Sequence, residues 1–152
     1  MTRLKMDIYD SSQKYAALFA CLSPNNLTVL EASLSEKVVF IDPFNRVEGK
    51  QDFIAIFEHM FEVMRAPKFI IEDVAISPNA GYIKWQMTGE LKSRPSFQIN
   101  LVGMSELVFD ENGLLVLHHD HWDSARQLLS NIPGAGFFIR KLLMLFALPK
   151  PN

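Results

Sequence analysis

The chain has 152 residues, of which 49% are hydrophobic and 21% charged, and its formal net charge is −2. That length fits one domain able to bury its own core, and the balance is that of an ordinary soluble globular protein. No basic footprint invites nucleic acid, and the single cysteine, Cys21, excludes an internal disulfide. The N-terminus is polar and charged, without the apolar run of a signal peptide, so a cytoplasmic location is expected.

Tyr15, Leu18, Phe19 and Leu22 fall at helical spacing, which predicts a first helix over about 8–22. Ser23-Pro24-Asn25-Asn26 breaks it. Leu27 to Leu34 reads as a short second helix, and the β-branched and aromatic run Lys37 to Ile41 as a strand that Asp42-Pro43 stops. Gly49 precedes a third helix with one apolar stripe, Phe53, Phe57, Met60, Phe61 and Met64, ended by Ala66-Pro67. Four strands follow, Lys68 to Ile76, Tyr82 to Leu91, Phe97 to Phe109 and Leu114 to Trp122. Their turns are 77–81, 92–96 and Asp110-Glu111-Asn112-Gly113. Asp123-Ser124 can cap a closing helical segment, which Ile132-Pro133-Gly134 interrupts before a last, very apolar helix. Arg140-Lys141 breaks that apolar run, which is too short to span a bilayer, so membrane association is not expected. Segregated helices and an antiparallel meander indicate the α+β class. The expected organisation is a single domain over 1–152, with 124–148 as a C-terminal helical extension.

Two polar clusters end apolar strands: Asp42 after VVFI, and HHDHWD from His118 to Asp123. Ionisable groups are costly at such places, which makes them candidates for a pocket. Asp42 can be a general base whose desolvated carboxylate has a raised pKa, or a turn former that accepts local backbone amides. Tyr15 can donate to a developing oxyanion, or be a core aromatic whose hydroxyl reaches a partner. Period-two geometry sets His118, Asp120 and Trp122 on one face. There His118 and Asp120 make either a proton-transfer pair, the Asp fixing the His tautomer, or a polar wall that binds water. His119, His121 and Asp123 then face solvent or a subunit interface, and a one-residue slip would exchange the two sets. Because alternation splits these groups, no face offers three metal ligands without help from Asp42, and no metal site is expected. No Gly-rich phosphate loop follows a strand and no nucleophile motif is present, so no cofactor is expected.

The element order, with QKYAALF near the N-terminus, FIDPF before the Gly49 helix, LVFDENGLLV, and HDHWD before a helix, resembles the nuclear transport factor 2-like superfamily in its SnoaL-like branch. The resemblance implies a curved mixed sheet, wrapped around the N-terminal helices into a cone that holds an apolar pocket, and it implies a homodimer. The motif around Asp42 is similar to that of ketosteroid isomerase, whose catalytic Asp sits in an Asp-Pro pair and whose oxyanion-hole Tyr matches Tyr15. The isomerase's protonated Asp falls on Ser105, with Glu106 facing the other way, so half of that oxyanion hole is missing or replaced. His118 and Asp120 stand where the isomerase is apolar, and are closer to the His and Asp of scytalone dehydratase and the polyketide cyclases. The resemblance thus implies a small, mostly apolar organic ligand and cofactor-free acid–base chemistry of the isomerase, dehydratase or cyclase type. Asp42, Tyr15, His118 and Asp120 are the expected catalytic groups, with Trp122, Phe57, Met60, Phe61 and Ser105 lining the pocket. The rival expectation is a non-enzymatic binding or interaction module on the same fold.

Overall fold

The computed structural model describes residues 2–149. Residue 1 and residues 150–152 of the expected domain span lie outside the described residues. The chain forms two compact units that part between Trp122 and Asp123.

The first unit starts with α1 (Thr2–Ala20), a 3-10 turn at Pro24–Asn26 and α2 (Leu27–Ala32). Strands β1 (Leu34–Ile41) and β2 (Arg46–Glu48) lead into α3 (Lys50–Val63). Then come β3 (Met64–Ile76), β4 (Gly81–Leu91), β5 (Arg94–Phe109) and β6 (Leu115–His121). The strands form one open, curved six-stranded sheet in the order β2-β1-β6-β5-β4-β3. Its pairs are antiparallel except β1 with β6, which is parallel, so the sheet is mixed and the class is α+β, as expected.

Helices α1 and α3 pack on the sheet, and an aromatic core fills the space between them. Phe19, Phe40, Phe53, Phe57, Phe69 and Trp85 are each nearly or fully buried. Each such ring contributes on the order of 1.5–3 kcal/mol through the apolar surface it removes from water. Gly49 at φ 100° starts α3, and Gly113 at φ 77° closes the β5–β6 turn, both in the region that favours glycine.

The structure departs from the expected boundaries in several places, α1 beginning at Thr2 rather than near 8 and β5 at Arg94 rather than at 97. Leu34 begins β1 rather than ending α2, since the chain goes straight from the cap at Ser33 into the sheet. The short edge strand β2 was not expected; its three residues carry no alternation long enough to read. Helix α3 stops at Val63, and Met64 is already sheet, paired with Leu91. Ala66, at φ 48°, and Pro67 fall in a register shift between Arg65 and Lys68, where a proline's missing N–H costs no ladder bond.

The second unit holds α4 (Ser124–Gln127), a 3-10 turn at Leu129–Asn131 and α5 (Ala135–Met144). The Asp123 carboxylate accepts from the Arg126 N–H at 2.9 Å and caps α4 as expected. Gly136 lies so close to the Ser130 carbonyl that a Cβ there would meet it at 2.3 Å. Among the described residues no helix is long and apolar enough to cross a membrane.

Candidate functional site

Strand β6 carries the site because it is bulged. Phe109 pairs with Leu115 and Val108 with Leu117, which leaves Val116 as an extra residue. Strict alternation from the buried Leu115 would bury 117, 119 and 121. The extra residue instead brings His118 and Asp120 to the inner face, opposite Leu107 and Ser105 of β5.

His118 is fully buried at 0% exposure. Its ring stacks on Phe40 at 5.0 Å and is flanked by Phe19, Tyr15 and Phe53 at 5.3, 5.7 and 5.8 Å between centroids. An imidazole in such a place must have both nitrogens satisfied. Nδ1 lies 2.8 Å from the Tyr15 hydroxyl, and Nε2 lies 2.7 Å from Asp120 Oδ1. The same oxygen accepts from the Ser105 hydroxyl at 2.5 Å, and Ser105 Oγ accepts from the Trp85 indole N–H at 2.8 Å.

One set of proton positions satisfies the whole chain. The carboxylate only accepts, so Nε2 of His118 carries hydrogen and donates to it. Nδ1 is then the acceptor, and the Tyr15 O–H donates to it. Two donor lines, Tyr15–His118 and Trp85–Ser105, thus converge on Asp120 Oδ1. Oδ2 has no hydrogen-bond partner among the described residues, and the Asp120 side chain is 15% exposed. Burial, and secondarily the Asp120 charge, push the Tyr15 phenol well above its usual range, so it stays a neutral donor.

The expected site residues separate into four groups. Tyr15, Ser105, His118 and Asp120 form the network. Asp42, only half-buried, is held by its own turn: Oδ1 accepts from the backbone N–H of Phe44 at 2.7 Å and of Asn45 at 2.6 Å, and the Asn45 amide reaches both oxygens at 3.1 Å. This is the turn-forming arrangement. Trp122 stands at the end of β6, edge-on to the exposed Phe44 at 5.7 Å. Of the α3 stripe, Phe57 is core, packed against Phe19, Phe40 and Phe53. Met60 and Phe61 are half-buried, and Phe61 lines an outer cleft with Pro24, Leu27, Glu58, Glu62 and Lys92.

Trp85 is the network member that the sequence pattern did not mark. Its link to Ser105 follows from β4–β5 register, which no local motif encodes. Gly103 completes that corner: a Cβ there would lie 2.6 Å from the Trp85 ring and 2.9 Å from Trp122 Cβ. On the opposite face the structure corrects the expectation that no face gathers three ligand-type groups. Glu106, His119 and His121 offer ligand atoms all within 4.8 Å of one another, because β5 supplies a carboxylate directly opposite His119. Burial, then the adjacent His121, lower the His119 pKa.

The model of the SnoaL-like domain family matches residues 15–118. The chain belongs to this family. Solved structures share its fold. A protein of ketosteroid isomerase-like fold from Catenulispora acidiphila DSM 44928, in complex with trimethylamine, superposes with a TM-score of 0.66 at 12% identity, over 80% of this chain and 90% of that one. A putative polyketide cyclase from Xanthomonas campestris pv. campestris gives 0.65 at 12% identity, over 81% and 95%. An LEH-like epoxide hydrolase of M. tuberculosis gives 0.64 at 12% identity, over 93% and 96%. At these identities the likeness is one of fold. No curated protein sequence matches the chain.

Proposed function

We propose that this SnoaL-like protein binds a small, mostly apolar organic molecule beside Asp120, Trp122 and Phe44, and that Asp120 is its acid–base group. The observation that carries this reading is the convergence of two buried donor lines on one oxygen of Asp120, with its other oxygen left unengaged. A carboxylate held in this way has a fixed orientation and one oxygen for a substrate proton. In the proposed step Oδ2 takes a proton from a carbon next to a carbonyl, and the protonated carboxyl returns it elsewhere on the same molecule. His118 and Ser105 are positioning residues, and Tyr15 fixes the His118 tautomer. Asp42 acts through its turn, which sets Phe44 against Trp122, rather than as the base. The bound trimethylamine of the Catenulispora protein, and the cyclase and epoxide hydrolase names of the other two, support a small-molecule role on this fold.

The rival reading, a non-enzymatic module in which the network only braces the sheet, is favoured by the complete burial of His118, which keeps that ring out of any ligand's reach. One experiment separates the two. Ketosteroids, polyketide-like enones and epoxides are screened for turnover with wild type, Asp120→Asn and Asp42→Asn. The proposal expects Asp120→Asn to lose about 100-fold or more of wild-type turnover, and Asp42→Asn to keep it. Equal turnover by wild type and Asp120→Asn would remove the acid–base role. We further take the protein to act as a homodimer in the cytoplasm, without nucleic acid and away from membranes. The homodimer is what the SnoaL-like resemblance implies, and light scattering at working concentration tests it.

A further inference from the structure

We propose that the outer face of the sheet carries a binding site for a first-row divalent transition metal of the zinc class, built from Glu106, His119 and His121. The backbone register assembles it. His119 and His121 are two apart on β6, so both project to the same face, and Glu106 of β5 is the direct cross-strand partner of His119. The three ligand atoms lie within 4.8 Å of one another. A tetrahedral ion with bonds of about 2.0–2.2 Å wants its ligands about 3.4 Å apart, so a small closing rotation of the side chains suffices. The groups can make that rotation: the His121 and Glu106 side chains are 52% and 34% exposed.

The present contacts are those of a triad without a better partner. The His119 and His121 rings lie 3.9 Å apart between centroids, and His121 Nε2 is 3.5 Å from Glu106 Oε2, too long for a hydrogen bond. Among the described residues, neither ring nitrogen of His119 has a hydrogen-bond partner. Lys84, which sits opposite Met104 on β4, is already paired with Glu72 at 2.9 Å, so its charge is neutralised locally. Two imidazoles and one carboxylate suit zinc, cobalt, nickel or copper, and suit magnesium or calcium poorly. Three protein ligands leave the fourth position to water or a further donor. The site lies on the opposite face of β6 from His118 and Asp120, and does not depend on the chemistry proposed for them.

The test is titration of tag-free, full-length protein with zinc chloride against a chromophoric chelator, with cobalt absorbance as a second readout of geometry. Wild type should bind one ion per chain and show the intense visible bands of tetrahedral cobalt. His119→Ala and His121→Ala should each weaken zinc binding by at least about tenfold and abolish those bands, and Glu106→Gln should weaken binding. His59→Ala, an exposed histidine on α3, should bind as wild type does, and magnesium in excess should not compete. Failure of wild type to take up zinc would overturn the proposal. So would binding that survives in both His119→Ala and His121→Ala.

Discussion

At the scale of single residues, Tyr15 is the most exposed to test. Its hydroxyl is the only hydrogen-bond partner of His118 Nδ1 among the described residues. Tyr15→Phe keeps the ring and strands that nitrogen in an apolar core, which should cost about 1–3 kcal/mol in urea unfolding. A loss near zero would mean that the bond is not formed. The phenol also sets an alkaline limit. Its folded pKa is raised, so the unfolded chain gives up this proton first as the pH climbs. The stability it contributes is therefore fully present below about pH 10 and is lost above it. In an ultraviolet phenolate titration, the Tyr15 phenol should ionise only as the fold is lost. Tyr15→Phe should remove that last step. Ionisation of Tyr15 at the ordinary phenol value in the folded protein would contradict its burial.

Asp42 and Trp85 show what was and was not legible at this scale. The sequence around Asp42 carries both a catalytic resemblance and an Asp-Pro turn, and the two make the same residue pattern; only the bonds to Phe44 and Asn45 separate them. Trp85 is twenty residues from Ser105, and nothing local announces the pairing. His118 and Asp120, by contrast, were readable as partners, because two residues on one strand face must be neighbours.

At the scale of elements, the bulge in β6 decides what faces the core. The strong β5–β6 turn at Asp110–Gly113 was visible in the sequence. Strict alternation from the buried Leu115, however, would set His119 and His121 inside. Buried residues three apart on one strand, Leu115 and His118, are the mark of the inserted residue, and burial is not a local property. The same dependence on packing hid β2 and moved the end of α3: a three-residue edge strand and a strand that begins at Met64 are fixed by their partners. Gly103 is an element-level constraint with a clear outcome. Gly103→Ala forces a methyl group between Trp85 and Trp122, which should destabilise the first unit by about 1–3 kcal/mol. Because Trp85 holds Ser105, it should also change the intrinsic tryptophan fluorescence of the folded state. A variant as stable as wild type with an unchanged spectrum would show that the corner is looser than described.

At the scale of the whole molecule, the class, the element order and the mixed sheet follow from periodicity, turn chemistry and the SnoaL-like resemblance. The site does not follow from them so directly, since its members come from α1, β4, β5 and β6 and meet only when the sheet is in register. The fold therefore spends its inner face on a polar line inside an aromatic core. Such a line is stable only if every donor has an acceptor. That is the claim on which both the structural and the catalytic accounts rest. Its most direct measurement is a long-range nitrogen–proton NMR correlation of the His118 ring in the folded protein at neutral pH. The ring is expected to carry hydrogen on Nε2 alone, with Nδ1 in its hydrogen-bond-accepting form and slow exchange with solvent. A hydrogen on Nδ1, or a ring proton exchanging freely with water, would contradict that claim.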